Sequence, residues 1–177
     1  MKRTLDTARL RLRQFLANDA ERMHEIKSNW NVIKMLRLAP YPSTLENCRE
    51  WIAQISDEWK RGEAYRFAVD HQNTMIGCVD IDELREGHGE LGYWFDQASW
   101  GRGFASEAAE ATVALAFKEL GLALIESGHA SDNPASGHIL EKLGFQRTGK
   151  ITIWSNPRGA EIEQYTYALD REKWVRR

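Results

Sequence analysis

The first part of the chain combines one alternating segment with two stretches of helical spacing. Residues Arg9–Arg13 alternate strictly between arginine and leucine, which predicts a half-buried strand. Asn18 and Asp19 offer N-caps for a short helix, and a second helical piece follows at residues 30–35. The segment therefore predicts a strand followed by two short helices.

Pro40 and Pro42 predict a loop around Tyr41, because proline disfavours helix at the residue before it. A longer helix is predicted after this loop. Ser43 and Glu46 have the spacing of a capping box, and Gly62 is placed to end the helix. The apolar residues that recur at helical spacing are Leu45, Trp51, Ile52, Ile55 and Trp59. These residues give the helix one apolar face, which we expect to pack on the core.

The hydrophobic period then changes from helical to alternating. Strands are predicted at residues 65–69, 74–84 and 90–95, separated by short turns that contain polar residues or glycine. Short turns between successive strands favour antiparallel pairing. The middle of the chain is therefore predicted to form an antiparallel meander.

A glycine-rich turn follows the meander and introduces another helix. The turn is Trp100–Ser106, and the alanine-rich helix after it runs to Leu120 and stops at Gly121. The next strand is predicted at Leu122–Ile125. A strand, a helix and a second strand in this order form a crossover, so the sheet must contain a parallel pair.

The last part of the chain reads as a helix and a hairpin. Asn133 and Pro134 are typical of a helix N-terminus, and Gly144 is placed to end that helix. Phe145–Trp154 and Ile162–Leu169 are predicted to form the two strands of a closing hairpin. The predicted fold class is α+β with a mixed sheet.

Composition narrows the class of protein. The 177 residues, 42% hydrophobic and 28% charged, suit a single globular domain spanning 1–177. Lys and Arg total 24 against 26 Asp and Glu, so no basic field indicates nucleic-acid binding. Neither a signal sequence nor a membrane-length apolar stretch is present, so we expect a cytoplasmic protein without membrane attachment. Cys48 and Cys78 lack the spacing of a metal or redox motif, so we expect no metal.

The glycine-rich turn has the chemistry of an anion site. Gly101 and Gly103 precede the first turn of a helix, where backbone N–H groups can approach an anion, and Arg102 adds a cation that can contact phosphate. Two other interpretations are glycines that serve only a sharp turn and a dinucleotide-binding loop, whose GxGxxG fingerprint fails here at its last glycine. The dinucleotide loop is disfavoured because the turn follows a run of hairpin strands rather than opening a series of strand–helix units.

Several motifs taken together resemble one protein family. Trp100–Ala105 resembles the acetyl-CoA pyrophosphate loop of the GNAT superfamily of N-acetyltransferases, although Trp100 replaces the first residue of the usual Q/R-x-x-G-x-G/A form. Thr7–Arg13, Glu90–Trp94 and Asn133–Phe145 resemble its branch of ribosomal-protein N-terminal alanine and serine acetyltransferases, in order and spacing. The resemblance implies a GNAT-like sheet, mixed and mostly antiparallel, with a splayed parallel pair and flanking helices.

The resemblance also implies a site for acetyl-CoA as the acetyl donor. The turn would hold the pyrophosphate through Gly101, Arg102, Gly103, Phe104, Ala105 and Ser106. The splayed strand would hold the pantetheine arm through Tyr93, Trp94 and Phe95, together with Asn133 and Ser136 on the next helix. The alternative interpretations are a plain helix cap for Asn133 and core packing for Trp94.

A primary amine must lose a proton before it can accept an acetyl group. Deprotonation at pH 7 costs roughly 4.6 kcal/mol for a lysine of pKa about 10.4, but only about 1 kcal/mol for an α-amine of pKa about 7.8. Glu90, at the start of a strand that faces the implied acceptor cleft, is the expected base, acting through water. Asp82 and Glu83 are weaker candidates, and an exposed or ion-paired carboxylate is the alternative interpretation of Glu90.

The donor to the leaving thiolate departs from much of the family. Many members carry a tyrosine at the position of Leu140, which cannot donate a proton. Ser136, one turn earlier on the same helix, matches the serine that replaces the tyrosine in the ribosomal-protein branch, and its hydroxyl can donate a hydrogen bond. His138 is close by but reads more simply as a surface residue.

The implied acceptor residues are Trp30 and Tyr41, at the expected cleft entrance, and Glu83. The predicted activity is direct acetyl transfer, in a ternary complex, to the primary amine of a protein N-terminus or a small molecule. We expect no direct contact with nucleic acid and no membrane partner, with a homodimer as a possible assembly. The alternative is an idle acyl-CoA-binding or protein-interaction module on the same fold, which Leu140 keeps open.

Overall fold

The computed structural model describes residues 4–175, which form one continuous sheet flanked by helices. The strands are β1 (Thr4–Asp6), β2 (Arg11–Arg13), β3 (Tyr65–His71), β4 (Thr74–Arg85), β5 (His88–Phe95), β6 (Leu124–Ala130), β7 (Gln146–Ser155) and β8 (Ala160–Asp170). The helices are α1 (Asp19–Lys27), α2 (Trp30–Ile33), α3 (Leu45–Arg61), α4 (Phe104–Lys118), α5 (Pro134–Leu143) and α6 (Arg171–Val175). The ends of the predicted domain, residues 1–3 and 176–177, lie outside the described residues.

The sheet is antiparallel except at one place. Its strand order is β1-β2-β3-β4-β5-β6-β8-β7, and only β5 and β6 run parallel within the described residues. His88–Glu90 of β5 pair with Leu124–Glu126 of β6. Beyond these residues the two strands continue, to Phe95 and Ala130, without pairing to each other. The α+β prediction, a mostly antiparallel mixed sheet with a splayed parallel pair, is confirmed.

The central strands supply a core on each face of the sheet, because successive strand residues point to opposite faces. Phe67 of β3 packs on one face with Phe117 of α4, and both side chains are fully buried. Ala68, the next residue of β3, belongs to the opposite core with Met23 of α1 and Ile52 of α3. Helices therefore cover both faces of the sheet, and the space between the splayed strands lies between these layers.

The predicted start of α3 is wrong by one residue. Ser43 and Glu46 do not form its capping box, because Thr44 is the N-cap and its hydroxyl oxygen accepts the backbone N–H of Asn47 at 3.1 Å. The helix consequently begins at Leu45. Both residues have a hydroxyl that can cap, so the local sequence left two adjacent choices.

The ends of α1 and α3 show one wrong prediction and one confirmed one. The Asn18 side chain makes no capping hydrogen bond to α1. Asp19 instead accepts the N–H of Leu16 at 2.7 Å and forms an ion pair with Arg13, so contacts with the residues before the helix determine this turn. Gly62 ends α3 as predicted, in the left-handed conformation at φ +69°.

The strand predicted at Leu122–Ile125 lies at Leu124–Ala130 instead. Leu122 is still part of the helix exit, because its N–H donates to the carbonyl of Ala116 at 3.1 Å. The chain therefore needs two more residues before it can join the sheet. The shift places the end of β6 beside the separated part of β5, where the sheet opens.

Candidate active site

One large cavity of about 940 Å³ lies where β5 and β6 separate. At one end it is lined by the glycine-rich turn, Trp100–Ser106, which we call the turn end. At the other it is lined by Met35–Pro40 after α2, which we call the loop end. The splayed strands and the first turn of α5 connect the two ends, so a ligand lying along the cavity can touch both.

The turn end presents backbone N–H groups to the cavity. Gly103 is the N-cap of α4 at φ +78°, a conformation that L side chains rarely adopt, and Gly101 has φ +72°. The first N–H groups of a helix have no acceptor within the helix, so those of Phe104, Ala105 and Ser106 are available to an anion. These residues line the cavity. The local sequence dictates this arrangement through its glycines.

A short segment before β2 holds the turn in place through Glu107 of α4. The Glu107 carboxylate accepts the Thr7 hydroxyl at 2.6 Å, the Arg9 backbone N–H at 2.8 Å and the Arg9 Nε at 2.7 Å. Arg9 also donates to the carbonyl of Arg102 at 2.9 Å. Burial alone would raise the pKa of Glu107, but the hydrogen bonds from Thr7 and Arg9 lower it. The carboxylate is therefore charged at neutral pH and fixes the turn.

The turn end fits the pyrophosphate of an acyl-CoA. Orphaned N–H groups, a helix N-terminus and the nearby cations Arg9 and Arg102 all favour a phosphate ligand. Arg102 does not line the cavity itself, because its guanidinium lies over the Phe104 ring at 4.7 Å. Its place beside the cavity mouth allows contact with a ligand that extends out of it. Every other residue that the sequence assigned to the donor site lines the cavity, namely Tyr93, Trp94, Phe95, Gly101, Gly103, Phe104, Ala105, Ser106, Asn133 and Ser136.

Two hydroxyl groups meet where α5 faces β5. The Tyr93 hydroxyl lies 2.7 Å from Ser136 Oγ and 3.2 Å from the Ser136 carbonyl oxygen. Asn133 Oδ1 accepts the backbone N–H of Ser136 at 3.4 Å, so Asn133 caps α5 while also lining the cavity. Burial raises the pKa of Tyr93 to about 12. Leu140 is fully buried in the core and takes no part in this site.

The carboxylates near the middle of the cavity have raised pKa values. Glu90 lines the cavity with an exposed side chain, and the surrounding protein raises its pKa, first by partial burial and then through the charge of Asp82. Arg37 acts in the opposite direction on Glu90. Raised pKa values suit carboxylates that take up protons near neutral pH. Glu90 thus lies on the cavity, and its role as the base stays a prediction.

Asp80 of β4 is a second carboxylate on the cavity, and the sequence analysis missed it. Its pKa is raised to about 6 by burial and by the charge of Asp82, while Arg66, which donates to it at 3.1 Å, partly offsets both. Gly92 lies directly opposite on β5, and a Cβ there would come within 2.4 Å of Asp80 Oδ1. A glycine opposite an acidic strand residue was the available signal, but it becomes visible only when the strand register is known.

A half-buried lysine lies next to these carboxylates. Lys27 lines the cavity with its Nζ 4.7 Å from the ring centroid of Trp51 and 5.1 Å from that of Trp94. Burial lowers the pKa of Lys27, while the charge of Asp80 acts in the opposite direction. This pocket wall therefore combines two aromatic faces, an ammonium and a carboxylate.

The predicted acceptor residues lie outside the cavity lining. Trp30 and Tyr41 stack on each other with ring centroids 5.0 Å apart, and their side chains are exposed by 43% and 53%. Glu83 is exposed at a bulge of β4 with φ +47°. The residues that reach the cavity from this part of the chain are those of the loop end, Met35, Leu36, Arg37, Leu38, Ala39 and Pro40.

The turn between β7 and β8 holds the loop end in place. The backbone N–H of Asn156 donates to the carbonyl of Arg37 at 2.9 Å, and its side-chain amide donates to that of Leu38 at 3.2 Å. Arg158 donates to the carbonyl of Lys34 at 2.9 Å and pairs with both carboxylate oxygens of Asp132 at 2.8 and 3.0 Å. A hairpin near the C-terminus thus fixes a loop near the N-terminus.

Residues 4–175 contain neither a cluster of metal ligands nor a membrane-spanning helix. No cluster of three or more His, Cys, Asp or Glu side chains in this part of the chain is arranged to hold a metal ion. Among the same residues, no helix has both the length and the apolar character needed to cross a membrane.

Comparison with known proteins identifies the family. Residues 9–146 match the family described as acetyltransferase (GNAT) domain. The chain is 30% identical over 176 residues to the uncharacterized N-acetyltransferase p20 of Bacillus licheniformis, covering 97% of this chain and 98% of that protein. The chain therefore belongs to the GNAT family and is an acetyltransferase.

Solved structures show the same fold. An acetyltransferase of the GNAT family from Bacillus anthracis is 27% identical, with a TM-score of 0.83 over 96% of this chain and 99% of that one. RimL, a ribosomal L7/L12 alpha-N-protein acetyltransferase solved in complex with coenzyme A, is 20% identical, with a TM-score of 0.84 over 94% of this chain and 97% of that one. The GNAT fold, whose members use acetyl-CoA as co-substrate, is thus shared over nearly the whole chain.

Proposed function

We propose that this protein transfers an acetyl group from acetyl-CoA directly to a primary amine while both substrates are bound. The observation that carries the proposal is the single cavity, which joins an anion-binding turn to two carboxylates of raised pKa through the gap between β5 and β6. Donor and acceptor can therefore meet inside one site, so no covalent acetyl-enzyme is needed.

When bound, acetyl-CoA supplies a thioester whose carbonyl carbon accepts the amine nitrogen, while the electron pair of the broken carbon–sulfur bond leaves on sulfur. The N–H groups of Phe104, Ala105 and Ser106 bind the pyrophosphate. Tyr93 and Asn133 border the path of the pantetheine arm. These contacts orient the donor along the splayed strands toward the carboxylates.

Glu90 takes the proton of the attacking amine, directly or through one water. Its raised pKa makes it a better proton acceptor than an ordinary glutamate, and its exposure to the cavity gives it access to the acceptor. Asp80 is the second carboxylate that borders the acceptor position, but it is buried and held by Arg66, so it is less accessible to the amine than Glu90 is. Ser136 donates a hydrogen bond to the leaving sulfur.

The acceptor that we propose is the α-amine of a protein or peptide. Such an amine has the lowest deprotonation cost among common biological amines, which a carboxylate of moderately raised pKa can meet. RimL, which shares this fold, acetylates the α-amine of a ribosomal protein, and a solved ribosomal-protein-S5-alanine acetyltransferase from Vibrio fischeri also shares the fold.

We also propose that the protein works in the cytoplasm as a thiol-containing enzyme. Cys48 and Cys78 are both free and buried, which is the state that a reducing compartment maintains. Fractionation of the source cells with antibody detection tests this placement, and recovery in a secreted fraction would contradict it.

The activity is tested with acetyl-CoA and a panel of peptides, amino acids, polyamines and amine-bearing antibiotics. Thiol release measures turnover, and mass spectrometry locates the added acetyl group. We expect peptides with a free α-amine to be acetylated and their N-blocked counterparts to be inert. Tight acetyl-CoA binding without turnover of any amine would instead favour the idle binding module.

The base is tested by comparing Glu90→Gln with Asp80→Asn. If Glu90 is the base, Glu90→Gln lowers kcat/KM about 100-fold at pH 7, and the loss shrinks as the pH rises above the pKa of the amine. Asp80→Asn is expected to lower it less. A loss in Glu90→Gln that does not depend on pH would remove Glu90 from this role.

A further inference from the structure

The Ser136 hydroxyl, which we propose donates to the leaving sulfur, rotates freely unless a neighbour fixes it. Its backbone is fixed, because Ser136 is in the first turn of α5 and its N–H donates to Asn133. Its side chain is 8% exposed and lines the cavity. These contacts place the Ser136 oxygen, but they do not orient its hydrogen.

Tyr93 is placed to orient this hydrogen, because its hydroxyl contacts Ser136 Oγ. It extends from β5 across the cavity wall to α5, and its hydroxyl lies closer to Ser136 Oγ, at 2.7 Å, than to the Ser136 carbonyl oxygen, at 3.2 Å. The phenol has one hydrogen and two acceptors within reach, Ser136 Oγ and the Ser136 carbonyl oxygen. Because Oγ is nearer and the phenol is the stronger acid of the two hydroxyls, the phenol is the favoured donor to Oγ. A serine oxygen that accepts this bond keeps its own hydrogen free to point elsewhere.

We propose that Tyr93 is a positioning residue, whose hydroxyl donates to Ser136 Oγ and thereby directs the Ser136 hydrogen into the cavity toward the leaving sulfur. The proposal rests on the acetyl transfer proposed above and adds a function for the pair of hydroxyls. The phenol on β5 thus orients the serine hydroxyl on α5. Leu140 of α5 is fully buried and has no hydroxyl that could take this role.

The pair stabilises charge without giving up a proton. Burial raises the pKa of Tyr93 to about 12, so the phenol stays protonated over the pH range in which enzymes are assayed. When the carbon–sulfur bond breaks, its electron pair stays on sulfur and is stabilised by the hydrogen bond from Ser136. The proton that finally neutralises the thiolate comes from solvent as the product leaves.

The test measures binding of the product coenzyme A, not only turnover. At a pH above the thiol pKa, which is about 8.5 for a free cysteine, the sulfur of coenzyme A is a thiolate and accepts the Ser136 hydrogen. Calorimetric titration at high pH should show about 10-fold weaker binding of coenzyme A to Ser136→Ala and about 3- to 10-fold weaker binding to Tyr93→Phe. Desulfo-coenzyme A, which lacks the sulfur, should bind all variants equally, which also shows that they are folded.

The double variant separates positioning from packing. If Tyr93 acts through Ser136, then Tyr93→Phe in the Ser136→Ala background should cause no further loss of coenzyme A binding or of kcat. Tyr65→Phe, which removes a phenol hydroxyl from a half-buried tyrosine of β3 outside this cavity, is the matched control and should bind and react as the parent protein does.

Four outcomes would overturn the proposal. Equal weakening of coenzyme A and desulfo-coenzyme A in Tyr93→Phe would assign the tyrosine to packing. Additive losses in the double variant would show that the two hydroxyls act separately. Normal binding and turnover in Ser136→Ala would remove the serine itself from the proposed mechanism, whereas a loss in Ser136→Ala without one in Tyr93→Phe would remove only the tyrosine.

Discussion

The turn end and the loop end of the cavity are held by different kinds of contact. At the turn end, two glycines set the backbone conformation and Glu107 ties the turn to Arg9. The loop end depends on Asn156 and Arg158, which lie 118 and 124 residues further along the chain than the carbonyl oxygens they bind. The turn end thus takes its backbone conformation from local glycines and only its anchor from the segment before β2, whereas the loop end is held by a distant hairpin.

The two regions also differ in charge. The turn end offers N–H groups and arginines, which favour an anion, whereas Glu90 and Asp80 near the middle of the cavity favour uptake of a proton. In the function that we propose, this division keeps the carboxylates away from the phosphates of the donor. The comparison predicts that variants of one end should change the KM of one substrate and leave the other KM unchanged.

The largest effect is expected from Gly92→Ala, which forces the Asp80 side chain to move and lowers the free energy of unfolding. A Cβ at Gly92 would lie 2.4 Å from Asp80 Oδ1, so Asp80 must move and weaken its ion pair with Arg66. We expect a loss of about 3 kcal/mol in the free energy of unfolding, measured by urea denaturation. Gly149→Ala in β7, where a Cβ makes an ordinary contact at 3.4 Å, is the control and should lose less than about 1 kcal/mol. Equal losses would contradict the packing argument.

Glu107→Ala releases the turn end. The substitution removes the acceptor of hydrogen bonds from Thr7 and Arg9, so the glycine-rich turn loses its anchor. We expect the KM for acetyl-CoA to rise about 10-fold with the KM for the amine unchanged, since hydrogen bonds to charged groups are worth about 1.5–3 kcal/mol. Steady-state kinetics in both substrates measures the effect, with Glu110→Ala on the exposed face of α4 as control. A rise in the amine KM alone would show that the two ends are not separate.

Arg158→Ala releases the loop end in the same way. Without the guanidinium, the carbonyl of Lys34 and the carboxylate of Asp132 lose their shared partner, and Met35–Pro40 becomes more mobile. We expect the amine KM to rise about 5-fold and the acetyl-CoA KM to stay near its original value. Arg171→Ala, at an exposed position after β8, serves as the control. An effect confined to acetyl-CoA would place the function of the hairpin at the other end of the cavity.

The smallest expected effect concerns stability and pH. The pKa of Asp80 is raised to about 6 in the folded protein, against about 3.9 for an unfolded aspartate, so the folded state binds more protons between these values. Asp80 therefore favours folding most at low pH, and this contribution falls as pH rises from about 4 to about 6. The free energy of unfolding of the parent protein minus that of Asp80→Asn should decrease over this range, by on the order of 1 kcal/mol. A difference that increases with pH would mean that the ion pair with Arg66 dominates.

Much of the fold followed from local patterns. The alternating strands, the helix that Gly62 ends and the parallel crossover around the glycine-rich turn were all predicted, because each depends on residues close together in the chain. Errors arose where neighbours offered equivalent choices, as with Ser43 and Thr44 at the start of α3. They also arose where an ion pair outside the helix decided, as with Asp19 and Arg13, the latter of which also pairs with Asp70 of β3.

The candidate site divides in the same way. The sequence by itself determined the glycine-rich turn, strand β5 with Glu90 and the first turn of α5 with Ser136, because short motifs fix local backbone conformation. Only the tertiary structure decided that Asp80 reaches the cavity opposite Gly92, that Tyr93 meets Ser136, and that Met35–Pro40 rather than Trp30 and Tyr41 lines the loop end. Such contacts depend on strand register and on packing between residues far apart in the chain, which no local pattern specifies.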